Sequence, residues 1–72
     1  MRMPVTFEEF ESYLIDLFPT SELFQSNIAT QFSVNERYNA IITKEDSFDN
    51  HQPVFSTVYF GEKVFLYFIP KN

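Results

Sequence analysis

The chain has no cysteine and no tryptophan, a single glycine, and only five lysine or arginine residues against ten aspartate or glutamate in 72 positions. Each scarcity excludes something. Without cysteine there is no disulfide and no thiolate metal site. That suits a reducing compartment, and a cytoplasmic location is the expectation. A formal charge of −5 argues against direct nucleic-acid binding, which needs basic surface to neutralise phosphates, and against anionic membranes. One glycine cannot build a phosphate-cradling loop. No apolar run reaches the length of a membrane-spanning helix, and the start (Met1, Arg2, Met3, Pro4) lacks the apolar core of a signal peptide. A chain of this length is expected to form one small domain over residues 1–72, which buries only about 60% of its unfolded surface.

Aromatic side chains are what the sequence has in plenty, with 10 Phe and 4 Tyr. The apolar content is densest in residues 54–69, rich in β-branched and aromatic side chains, which read as two strands, 54–60 and 63–69, around a tight turn. Gly61 takes the positive φ of a type II′ turn without steric cost, so Gly61-Glu62 is the expected turn. Phe60 then opposes Lys63, Tyr59 opposes Val64, and Val58 opposes Phe65. Alternation places Phe55, Thr57, Tyr59, Val64, Leu66 and Phe68 on one side. Val54, Ser56, Val58, Phe60, Lys63, Phe65, Tyr67 and Ile69 fall on the other. Both sides are largely apolar, so either the chain covers both or a partner covers one. Phe60, Phe65 and Tyr67 are therefore candidate protein-binding residues.

The best-signalled helix begins at Thr6, an N-cap with Glu9 in the capping-box position and Val5 and Phe10 placed for a hydrophobic staple. Phe7, Phe10, Leu14, Leu17 and Phe18 share one face, with Tyr13 on its flank. Glu8, Glu9, Ser12 and Asp16 lie opposite, and Pro19 ends the helix. A second, short helix is expected after Thr20 or Ser21, ending near Ala29 or Thr30. A single strand is expected over 33–43, with a fold-back at Asn35-Glu36 as the alternative. Its polar side suggests an edge strand. Residues 44–53 read as a polar loop. The expected fold is α+β: two N-terminal helices, the second short, followed by a three-stranded antiparallel sheet ending in a β-hairpin.

The loop carries Glu45, Asp46, Asp49 and His51, but their spacing fits neither a calcium loop nor a zinc site. The simpler reading is a solvated loop with Phe48 tucked beneath it. No serine sits in a nucleophile elbow, and the helix carboxylates are exposed rather than tuned as acids. No catalytic residue, cofactor or metal site is therefore assigned, and an enzyme is not expected.

Charge placement says more. Between Arg2 and Arg37 there is no cation, while Glu8, Glu9, Glu11, Asp16, Glu22 and Glu36 all fall there. A face of one sign steers a basic partner. Glu8, Glu9, Ser12 and Asp16 accordingly join Phe60, Phe65 and Tyr67 as candidate protein-binding residues. In size and charge, though not in sequence, the chain is similar to small acidic inhibitors carried by phages and mobile elements. The expected function is a non-enzymatic protein-binding module, an inhibitor or regulator of a basic or nucleic-acid-handling protein. One alternative is a homodimer or accessory subunit that uses the aromatic hairpin. Another is a metal binder or enzyme using residues 45–51.

Overall fold

Thr6 opens the one helix found among the described residues of the computed structural model, which are 6–20 and 30–71. Its hydroxyl oxygen accepts from the Glu9 backbone N–H at 3.2 Å. That satisfies one of the donors a helix start leaves open. Helix α1 spans Phe7–Leu17, with Glu8 and Glu9 in the first turn, where the dipole favours negative charge. Phe10 and Leu14, four residues apart on one stripe, are fully buried, and Tyr13, Leu17 and Phe18 pack beside them. Phe7 sits at the margin of the stripe and meets Phe55 edge-on, with ring centroids 6.0 Å apart. Val5, the expected staple partner, lies outside the described residues. So does most of the span expected to form the second helix, and Thr30, placed at that helix's end, opens a strand instead.

Among the described residues the sheet has four strands, β1 (Thr30–Ser33), β2 (Tyr38–Thr43), β3 (Phe55–Tyr59) and β4 (Glu62–Pro70), in the order β1-β2-β4-β3. All neighbouring pairs are antiparallel. The expectation of two helices and a three-stranded sheet is thereby corrected, although the α+β class stands. The expected strand over 33–43 breaks at Asn35. The Asn35 Oδ1 accepts from the backbone N–H of Arg37 at 2.7 Å and of Tyr38 at 3.0 Å. This side-chain turn takes over donors that a continuous strand would offer to a neighbour. The alternative, a fold-back at Asn35-Glu36, is the arrangement that forms, and Glu36 marks it by interrupting the apolar alternation between Val34 and Tyr38. Nor is β2 a half-wet edge. It is an inner strand, and Ala40, Ile41, Ile42 and Thr43 are all buried.

The hairpin is confirmed, with a different turn. Tyr59 pairs with Glu62, Thr57 with Val64, and Phe55 with Leu66. The turn residues are therefore Phe60 and Gly61, with φ of 49° and 78°. Positive φ at both positions is the type I′ turn, whose twist matches the strands it joins. Sliding a two-residue turn by one position moves every partner by two, so the division of side chains between the faces is unchanged. Val64, Leu66, Ala40 and Ile42 meet Phe10 and Leu14 of the helix in one cluster, joined by Phe55, Tyr59 and Phe68.

The opposite face is covered by the chain's own loop. Strands β2 and β3 are both antiparallel to β4 and flank it, so residues 44–53 must cross β4 to join them. Phe48 is carried onto Tyr67, centroids 5.7 Å apart, and the Tyr67 hydroxyl donates to the Glu45 carbonyl at 2.8 Å. Ile41, Phe65 and Tyr67 form a second buried cluster there, with Phe48 and Ile69 at its rim. Within the crossing, Asp49 and Asn50 take φ of 48° and 61°, and the His51 N–H donates to the Phe48 carbonyl at 2.8 Å. Asp and Asn tolerate that conformation better than other non-glycine residues.

Two outcomes follow from this packing. No heavy atom lies within 4 Å of a Cβ built on Gly61, so Gly61→Ala should cost only the left-handed backbone penalty, about 1–2 kcal/mol in chemical denaturation. A neutral result would mean that the turn is not of this type. Burial, with Asp46 and Glu45 nearby, raises the Tyr67 hydroxyl above its ordinary value of 10.0. Below about pH 10 the folded and unfolded states are both protonated; above it the unfolded state ionises first, so stability is lost as pH rises through the raised value. Tyr67→Phe should cost about 1 kcal/mol at neutral pH for the lost hydrogen bond and should flatten the alkaline decline. An identical alkaline slope in the variant would contradict the assignment.

Candidate functional site

The loop carboxylates do not converge on a site. His51 Nε2 stands 3.9 Å from Asp49 Oδ2 across the exposed turn. Glu45 offers its carbonyl to Tyr67. Among the described residues no group of three or more His, Asp or Glu side chains could hold a metal ion. The positive φ of Asp49 is accounted for by its turn.

The helix carboxylates occupy a different setting. Glu8, Glu11, Ser12 and Asp16 are exposed and Glu9 is half-buried. Glu11 Oε2 accepts from the Thr57 hydroxyl at 3.3 Å, which ties the helix to β3. Burial and the neighbouring Asp16 both raise the Tyr13 hydroxyl. The cations lie elsewhere. Lys44 pairs with Glu62 at 3.3 Å, Lys63 Nζ stands 5.9 Å from the centre of the Phe65 ring, and Lys71 donates to the Ser33 hydroxyl at 2.8 Å. Among the described residues none of these, nor Arg37, forms an ion pair with Glu8, Glu11 or Asp16.

Of the three aromatic candidates on the hairpin, only Phe60 is a surface residue. It is 53% exposed and stands edge-on to Tyr59, centroids 4.6 Å apart. Tyr67 is fully buried and Phe65 is 7% exposed, both beneath the crossing loop. Neither ring can present a contact area to another molecule without displacing that loop.

What reading the sequence missed is a groove of about 210 Å³ lined by Glu11, Leu14, Ile15, Thr57, Val58 and Tyr59. Leu14 is its buried floor, while Ile15 and Val58 are 59% and 65% exposed at its rim. Thr57 and Tyr59 point to the helix side of the sheet and Val58 to the other, so a groove touching all three must run along the outer edge of β3. The Tyr59 hydroxyl donates to the Phe18 carbonyl and fixes the far end of α1 to the same strand. The other large apolar side chains left exposed gather nearby. Among the described residues Phe7, Val54 and Phe60 belong to α1 or flank β3, and Tyr38 alone lies elsewhere. A signal for this existed: Ile15 interrupts the polar side of α1, next to Asp16.

Comparison with protein-family models, curated proteins and solved structures finds no match to this chain.

Floor and rim of the groove should respond differently to substitution. Leu14→Ala is expected to cost about 2–5 kcal/mol in denaturant unfolding. Ile15→Gln and Val58→Thr should each stay within about 0.5 kcal/mol. A loss above about 1 kcal/mol in either rim variant would mean that the rim is covered by the chain itself.

Proposed function

We propose that this chain is a non-enzymatic protein-binding module, a small acidic regulator or inhibitor whose partner presents a basic surface. The observation that carries this reading is the meeting of two features along one margin. The carboxylates Glu8, Glu11 and Asp16 lie on α1 beside the exposed apolar side chains Ile15 and Val58. An apolar patch bordered by charge of one sign suits a partner that supplies apolar contact at the centre and cations at the rim. Ser12 lies on the same exposed side, and Phe60 extends the apolar margin at the hairpin tip.

The dimer built on the aromatic hairpin loses most of its proposed interface, because Phe65 and Tyr67 are covered within one chain. The metal-binding or enzymatic alternative draws no support from the loop, whose polar groups brace the crossing over β4.

The test compares capture of partners from the source lysate by the immobilised chain and by a Glu8→Gln, Glu11→Gln, Asp16→Asn variant. Neutralising the face should slow association of a captured partner by about tenfold at low salt and flatten its salt dependence. Thermal unfolding should show that the variant remains folded. A partner that binds both forms at the same rate and with the same salt dependence would exclude steering through α1.

A further inference from the structure

We propose that the outer edge of β3 accepts an extended, basic segment of a partner protein as a fifth strand of the sheet; this rests on the protein-binding reading above and specifies how the partner is held. The backbone supplies the first argument. A two-residue turn makes Tyr59 and Glu62 a hydrogen-bonded pair. Alternation along β3 then turns Phe55 and Thr57 towards β4, and aims the N–H and C=O groups of Ser56 and Val58 outwards. Strand β3 is last in the sheet order. Among the described residues no other strand or loop backbone bonds to the outward side of Ser56 or Val58. An open edge of this kind is a template for pairing, and the sequence of β3 contains no lysine or proline to blunt it.

The groove supplies the second argument, because three consecutive residues of this edge strand, Thr57, Val58 and Tyr59, line it together with Glu11, Leu14 and Ile15 of α1. An incoming strand would alternate its side chains between the two faces. Those on the helix side pass Glu11, with Glu8 one turn away on the same helical row. Those on the other side pass the exposed Val58. The complementary segment therefore alternates basic and apolar residues. Main-chain pairing provides affinity, and the alternating side chains provide selectivity, as in other cases of strand addition.

Charge also selects the occupant. Pairing of β3 with β3 of a second copy about a two-fold axis would continue the sheet and set both α1 helices on the same face. Glu11 of one copy would then approach Glu11 of the other, in chains that each carry −5. Like charges across an interface oppose assembly, whereas a basic strand meets opposite charge at the same place.

The experiment titrates the ¹⁵N-labelled full chain with a blocked hexapeptide of alternating Lys and Val. It is repeated with a Glu/Val peptide and with two N-methylated Lys/Val peptides, one methylated on every Lys nitrogen and one on every Val nitrogen. The expected result is slower exchange of the Ser56 and Val58 amides by at least about tenfold at saturation. One methylated peptide should bind at least about tenfold more weakly and the other nearly as well, because only one set of N–H groups faces β3. Equal binding of both methylated peptides overturns the fifth strand, yet leaves the acidic protein-binding face standing if the Glu/Val peptide fails to bind. Equal binding of the Glu/Val peptide removes that reading and the proposal with it. Protection of Ser56 and Val58 that grows with protein concentration alone assigns the edge to a second copy and overturns the proposal. So does the absence of any shift at millimolar Lys/Val peptide.

Discussion

Strand β4 has to be dry on both faces, and the rest of the molecule is arranged to meet that demand. Val64 and Leu66 point one way and Phe65 and Tyr67 the other, and all four are buried. Each such side chain is worth about 1.5–3 kcal/mol when taken out of water. A chain this small cannot leave either set exposed. Helix α1 closes one side through Phe10 and Leu14, and the crossing of residues 44–53 closes the other through Phe48. The strand order β1-β2-β4-β3 follows the same logic, because placing β4 between β2 and β3 forces their connection across its face.

The demands of β4 leave β3 with the less favourable position. Among the described residues it pairs with β4 on one side only, and α1 lies over it with the contacts of Thr57 to Glu11 and Tyr59 to Phe18. Of the exposed apolar side chains, Val54, Val58 and Phe60 lie on or next to β3, and Ile15 of α1 lines the same groove as Val58; among the described residues Glu8, Glu11 and Asp16 pair with no cation. The exposed apolar margin and the structural core are thus drawn from different residues of the same hairpin. The rings that looked most available, Phe65 and Tyr67, are held inside, while Val58 and Ile15, which drew little notice, are outside.

Several elements were legible because their signals are local. The Thr6 cap, the stripe through Phe10 and Leu14, and the stop at Pro19 each depend on a few adjacent residues, and the helix forms where they place it. The two faces of the hairpin were also legible, since alternation does not depend on which residue pair turns. The turn itself was misplaced. Phe60 is a poor residue for positive φ, and only the pairing across to β4 shows that it adopts one. The break at Asn35 was legible only as an alternative. Glu36 interrupts the apolar alternation, but a single strand fits most of the same pattern, and the deciding contacts are made by one amide side chain.

Composition and periodicity by themselves determined that this chain forms an α+β domain with an amphipathic first helix, a two-faced aromatic hairpin and an acidic N-terminal half. Those properties are sums or repeats over neighbouring residues. Only the tertiary structure decided the strand order, the covering of the second hairpin face by a polar loop, and the groove between α1 and β3. These depend on which distant segments meet, and a polar stretch such as 44–53 becomes a cover only once β4 lies beneath it.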